Sequence, residues 1–200
     1  MFDARLRPVL DGPLSRTAAA LDRPAVTPDR LTLLGLVLGL ACAVASALAW
    51  WPAAVLLWLL SRLADGLDGP LARRRGPRDA GAGGFLDITC DFVVYGATVV
   101  GVALGAGGPL WPFLLVLLAY YVNGTAFLAF SSLAERAGRR IDDGRSLSFL
   151  GGLAEGAETI AVHTLWLLLP FWAPQIALGW AAVVGVSAAQ RVVAGYRALR

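Results

Sequence analysis

Four aspartates in this chain have the spacing to act together. Asp65 and Asp68 lie three residues apart in Asp65-Gly66-Leu67-Asp68-Gly69-Pro70-Leu71-Ala72-Arg73, and Asp87 and Asp91 lie four apart in Gly83-Gly84-Phe85-Leu86-Asp87-Ile88-Thr89-Cys90-Asp91. On helices each pair occupies one face. The Gly- and Arg-rich stretch from about Arg74 to Ala82 is short enough to make the two helices antiparallel neighbours, which predicts four carboxylates at one locus. Carboxylates that close repel strongly where the dielectric is low, so something positive must sit among them. Ligands that are all oxygen point to a hard divalent cation, Mg²⁺ first, Mn²⁺ second, with Ca²⁺ also open. Four carboxylates can hold two such ions, and paired ions suit in-line displacement at phosphorus because they stabilise the attacking and leaving oxygens. Gly66, Gly69, Gly83 and Gly84 flank the acids and would let helix backbones and a phosphate-bearing ligand come close. The plainer alternative, charges on a solvated turn, suits Asp79 among its arginines. It does not suit four regularly spaced acids at the edge of apolar segments, where ionisable groups are costly and usually functional.

The elements that must position these acids are membrane helices. Of 200 residues, 58% are hydrophobic and 16% charged, with a mean hydropathy of +0.67, far outside the soluble range. A span needs about 20 mostly apolar residues, and six stretches qualify: 31–50, 52–72, 85–104, 110–133, 149–172 and 174–195. The expectation is an all-α bundle of six transmembrane helices, a single membrane domain over residues 1–200 with an interfacial segment at 1–26. In that segment Phe2, Leu6, Val9, Leu10, Leu14, Ala18 and Leu21 recur at near-helical spacing among Arg and Asp, as in a helix lying on the membrane surface, with Pro8 and Gly12-Pro13 expected to bend or break it. Thr27-Pro28-Asp29 then reads as a helix start: a Thr N-cap, Pro at the first position and an acid near the positive end of the dipole.

The turns joining spans one to two, three to four and five to six carry no charge, so every Arg falls on the other side. By the positive-inside rule both termini face the cytoplasm, and Trp50, Trp51, Trp111 and Trp172 form an aromatic belt on the far side. The charged start of the chain lacks a continuous apolar core, so no cleavable signal peptide is expected. A net charge of +3 is too small to argue for nucleic acid. Cys42 and Cys90 lie in apolar runs and read as small buried hydrophobes rather than as a disulfide or thiolate site.

At the acidic segment the chain resembles the CDP-alcohol phosphatidyltransferase family, within it a small bacterial subgroup. The family signature of Asp, two residues, Asp-Gly, two residues, Ala-Arg, a spacer, Gly, three residues, Asp, three residues, Asp falls here on Asp65, Asp68, Gly69, Ala72, Arg73, Gly83, Asp87 and Asp91. The nine-residue spacer, 74–82, is slightly longer than usual, and Asp29 stands where the family more often has Asn. The resemblance implies attack by an alcohol hydroxyl on a CDP-linked lipid, most simply CDP-diacylglycerol, with release of CMP. It implies metal binding by Asp65, Asp68, Asp87 and Asp91, with Asp91 also the general base. It further implies a CDP site at Gly69, Ala72, Arg73 and Gly83, joined by Asp29 and Thr32, and a homodimer in the bacterial inner membrane.

Acceptor choice is less legible. Arg145 and Arg191 are the basic residues best placed to meet a phosphorylated alcohol, although both also suit anchoring helix ends at lipid headgroups. Glu155 and Glu158 lie three apart near the start of span five, so one of them, Glu155 first, could face the substrate cavity. His163 and Asn123 read as packing residues that hydrogen-bond between helices. Two other functions fit parts of the pattern. An aminoalcohol phosphotransferase would join a CDP-linked aminoalcohol to diacylglycerol, and a cation transporter would use membrane carboxylates as a path. The transporter reading lacks any acid near the midplane or the far side.

Overall fold

The computed structural model of the protein describes residues 3–76, 81–138 and 152–200. Among them are α1 (Asp3–Leu21), α2 (Pro28–Ala47), α3 (Trp51–Arg75), α4 (Ala82–Gly105), α5 (Trp111–Arg136), α6 (Gly156–Leu168), a 3-10 turn (Pro170–Trp172) and α7 (Ala173–Leu199), with no strand. The all-α expectation holds for these residues. Among the described residues, four segments are long and apolar enough to cross a membrane: α2, α4, α5 and the run Pro170–Leu199 that contains α7. Outward faces such as Leu33, Val37 and Val44 on α2 and Leu56, Leu59 and Leu63 on α3 are apolar and exposed, as an integral membrane protein requires.

The remaining two expected spans differ. Helix α3 has 25 residues, about 37 Å of helix, but it carries Arg62 near its middle and Asp65, Asp68 and three arginines in its second half. The expected fifth span at 149–172 is cut short to a helix of 13 residues. Its first residues, 149–151, fall outside the described ones. Before Gly156 the chain is extended at Glu155, and Gly152 packs so tightly that a Cβ there would collide with Ser187 Oγ. After Leu168 the helix gives way at Pro170 to the 3-10 turn.

Helix α2 starts as its sequence dictates. Thr27 is its N-cap, with Oγ1 accepting from the Arg30 backbone N–H at 3.2 Å, and Pro28 and Asp29 occupy the first turn. Helix α1, by contrast, runs unbroken through Pro8 and Pro13. A proline removes one backbone donor, and tertiary packing can offset that loss. Here Ala18 is buried and Leu14 and Leu21 are partly buried against Leu31, Leu67 and Leu71 of α2 and α3. Val9 and Leu10 on α1 remain exposed. The link from α1 to α2 is pinned by Asp22, which accepts from Arg74 Nε at 3.0 Å and Arg75 Nε at 2.8 Å. These bonds, Arg75 foremost, hold the Asp22 carboxyl below its ordinary range.

Helices α3 and α4 are not the close neighbours the short turn predicts. Each packs on α2, which lies against both. Small residues allow this. A Cβ on Gly101 or Gly105 of α4 would run into the backbone carbonyls of Ala43 and Ser46 on α2. On the α3 side Ser61 Oγ donates to the Gly35 carbonyl at 2.7 Å. A gap therefore stays open between α3 and α4 toward the end where α2 begins. Helices α5 and α7 form the other principal pair. At the opposite end the three uncharged turns gather: Gly105 abuts Ser46 and Ala49, and Gly108 lies near Pro174. Trp50, Trp111 and Trp172 are exposed there. The core between these ends includes Trp58, Phe113, Trp166 and Trp180, and Cys42 and Cys90 are free and buried.

Candidate active site

The helical spacing brings three of the four expected carboxylates together. One oxygen each of Asp65, Asp87 and Asp91 lies within 4.8 Å of the others, across the gap between α3 and α4. Such a set of hard oxygen donors fits a divalent cation. Asp68 is turned differently: it is buried, and its Oδ2 accepts from Thr32 Oγ1 at 2.5 Å. Asp68 thereby faces a cavity of about 610 Å³ beside the acid cluster, lined by Asp29, Thr32, Asp68, Gly69, Ala72, Arg73, Gly83 and Asp87 among others. All six residues expected around CDP lie on that wall. Gly83 and Gly84 also line it, while Gly66 faces Leu14 of α1 instead. Arg73 is largely exposed and reaches to within 3.9 Å of Asp11 on α1.

Two basic residues were not anticipated. Arg75 lines the same cavity while held by Asp22 and the Arg23 carbonyl. Arg62 is buried at the bottom of the acid cluster, with Nη1 at 2.6 Å from Asp91 Oδ1 and 3.5 Å from Asp65 Oδ2. The same nitrogen is 3.3 Å from the Tyr95 hydroxyl, and Nη2 donates to Ser61 Oγ at 3.1 Å. The guanidinium lies 5.2 Å from the Trp58 ring centroid and 5.1 Å from that of Tyr95, a favourable setting for a desolvated cation. A signal was present in the sequence. Arg62 interrupts an apolar run one helical turn before Asp65, where an unpaired charge would be costly.

Beyond Arg62 the site is closed by aromatic packing. His163 is fully buried, stacked on Trp58 at 5.0 Å, with Nε2 at 2.9 Å from the Tyr120 hydroxyl. Tyr120 accepts from Trp180 Nε1 at 2.7 Å, and Trp58 Nε1 donates to Thr164 Oγ1 at 3.0 Å. This is the packing role expected of His163.

The residues assigned to the acceptor do not join the acid cluster. Arg191 is buried on α7, donating to Asn123 Oδ1 of α5 at 3.0 Å and contacting the Ala154 carbonyl at 3.5 Å. Asn123 is thus an interhelical partner, as expected. Glu155 is buried and Oε1 accepts from the Gly152 N–H at 3.1 Å. Together with Ser187 these form a second polar locus between α5, α6 and α7. Arg145 lies outside the described residues.

With this geometry in hand, the comparisons with known proteins agree on a class. The sequence profile of the CDP-alcohol phosphatidyltransferase family matches residues 25–188, and the chain belongs to that family; it is a transferase of the divalent-metal-dependent kind. It is 40% identical to the inner membrane protein YnjF of Escherichia coli over 211 aligned residues, covering 100% of this chain and 98% of that protein. It is 32% identical to the phosphatidylinositol phosphate synthase of Mycobacteroides abscessus, over 72% of this chain and 63% of that one. Among solved structures, the fold matches the Mycobacterium tuberculosis phosphatidylinositol phosphate synthase with CDP-DAG bound, at a TM-score of 0.72 and 24% identity, over 92% of this chain and 93% of that one. The same synthase has been solved with manganese and citrate.

Proposed function

We propose that the protein transfers a phosphatidyl group from CDP-diacylglycerol to the hydroxyl of a small, phosphorylated alcohol, releasing CMP, in phospholipid synthesis at the bacterial inner membrane. The observation that carries this is the convergence of the signature residues on one cavity, with the acid cluster at its edge. In this reading Asp29, Thr32, Gly69, Ala72, Arg73 and Gly83 receive the CDP moiety, and Asp65, Asp68, Asp87 and Asp91 hold two Mg²⁺ or Mn²⁺ ions. Those ions, once bound, supply charge to the attacking and leaving oxygens. The acceptor oxygen attacks the phosphorus that bears the lipid and its proton passes to Asp91. The bond from that phosphorus to the CMP oxygen breaks, and CMP leaves.

A phosphorylated acceptor is favoured because Arg191 offers a buried guanidinium suited to a phosphate, and because relatives from Mycobacteroides, Streptomyces and Pyrococcus are named for making inositol phosphate lipids. Arg145 and Glu155 belong to the same acceptor assignment. A single membrane domain over residues 1–200 is retained, with residues 1–26 at the interface, six spans counting α3 and α6, both termini and the site on the cytoplasmic side, and a homodimer as the working form. The arginine-rich end against the Trp-bearing end supports that orientation, and the inner membrane location follows the relative YnjF.

Purified protein given CDP-diacylglycerol, Mn²⁺ and a panel including inositol phosphate and glycerol 3-phosphate should release CMP with one of them. Asp91→Asn should cut that release by about 10²-fold or more; unchanged release would remove Asp91 as the base. The aminoalcohol alternative predicts turnover only with a CDP-linked aminoalcohol plus diacylglycerol. Transport is disfavoured by the aromatic packing of Trp58, Tyr95 and His163 beyond Arg62, and ion flux in proteoliposomes without CMP formation would restore it.

A further inference from the structure

Arg62 is placed as part of the acid cluster rather than of the surrounding packing. It lies one turn below Asp65 on the same face of α3, and its Nη1 touches one acid from α3 and one from α4. It is 8% exposed, so neither lipid headgroups nor water can supply its counter-charge. Ser61, Tyr95 and the Trp58 ring fix its orientation from the remaining sides. When ionised, Asp65, Asp87 and Asp91 together with Arg62 leave two net negative charges, the charge that one divalent cation balances.

We propose that Arg62 is the resident counter-cation of the carboxylate cluster. It holds Asp65 and Asp91 facing each other before metal arrives, and it sets the residual charge of the site to that of a single divalent ion. A second ion then finds its matching charge in Asp68 and in the diphosphate of the incoming CDP-lipid, both on the cavity side. Arg62 is a positioning residue in this scheme, since it acts through Asp65 and Asp91 rather than on substrate. The proposal rests on the reading of the acids as a metal site.

The test uses the full chain reconstituted in lipid nanodiscs, with Mn²⁺ as the probe. Arg62→Met keeps most of the side-chain length and removes the charge. Its melting temperature should fall below that of the native protein in EDTA and approach it in saturating Mn²⁺, so that the Mn²⁺-induced rise in Tm is about twice the native one. Mn²⁺ affinity without nucleotide, read from the electron paramagnetic resonance signal of free Mn²⁺, should tighten about tenfold, because a neighbouring positive charge is gone. Arg62→Lys should stay close to native in both measurements. The double variant Arg62→Met with Asp91→Asn should regain metal-free stability, since one charge of each sign is removed. Equal loss of Tm with and without Mn²⁺, at unchanged or weaker Mn²⁺ affinity, would reduce Arg62 to a packing residue and overturn the proposal. If Arg62→Met does not fold, the double variant decides: folding supports the pairing, and failure while Asp91→Asn alone folds overturns it. Absence of any Mn²⁺ effect on the native protein is the separate result that would remove the metal site itself.

Discussion

Thr32 shows how much can hang on one hydroxyl. It sits in the first turns of α2, yet its Oγ1 bonds to Asp68 on α3, at 2.5 Å and out of contact with solvent. That bond turns Asp68 toward the cavity lined by Asp29, Gly69 and Arg73 while the other three acids face one another. Removing a donor from a buried carboxylate costs more than an exposed hydrogen bond, because the acceptor is left in a low-dielectric setting. Thr32→Val should lower kcat/KM for the CDP-lipid by about tenfold, while Thr32→Ser, which keeps the hydroxyl, should stay near native. Equal losses in both variants would point to the methyl group and against the bond. The family resemblance is what links Thr32 to the nucleotide; its hold on Asp68 depends on two helices meeting, which no local pattern encodes. The four acids were legible because their spacing is a property of a single helix each. Arg62 was marked only by its cost in an apolar run; Asp65 lies on the same helix, but the shortest ion pair of Arg62, to Asp91, comes from a different one.

At the scale of elements, the bundle depends on α2 as a spacer. Its glycines and those of α4 bring backbones into direct contact, and the gap between α3 and α4 is what remains. Gly101→Leu should force α4 away from Ala43, with a destabilisation of about 1–3 kcal/mol or more visible as a lower Tm in nanodiscs, and should depress CMP release by separating Asp87 and Asp91 from Asp65. Gly96→Ala, where a Cβ meets open space, is the control and should be neutral. If Gly101→Leu leaves both Tm and activity intact, the close contact is not what spaces the helices. Helix positions and the start of α2 were readable from apolar runs and the Thr27-Pro28 cap. The neighbours were not, because a short turn makes two helices antiparallel without packing their backbones together, and α3 and α4 meet through long side chains such as Arg62 with Asp91 and Tyr95. Likewise α1 continues through its prolines because it is braced by Leu67 and Leu71 from a distant part of the chain. Span five looked long enough from composition, and was shortened by an extended Glu155 and a Gly152 pressed against α7.

For the whole molecule, polarity is divided end from end. The uncharged turns with Trp50, Trp111 and Trp172 gather opposite the cavity and the arginines of α3. A cysteine at Trp172 should react with a membrane-impermeant maleimide in intact spheroplasts, whereas one at Arg197 should react only after permeabilisation. Labelling from the outside at Arg197 would reverse the orientation. The native Cys42 and Cys90 are buried and give little background. Polarity is also divided side from side. The acid cluster and the cavity beside it rest on α2, α3 and α4, whereas Arg191, Asn123, Ser187 and the N-cap Glu155 belong with α5, α6 and α7, and Trp58 of α3 stacks on His163 of α6 between the halves. That partition is a form of modularity. Under the proposed assignment, substitutions that drift through the second half would retune which molecule is accepted while the first half kept its chemistry, so one scaffold could diversify its products without rebuilding its reaction centre.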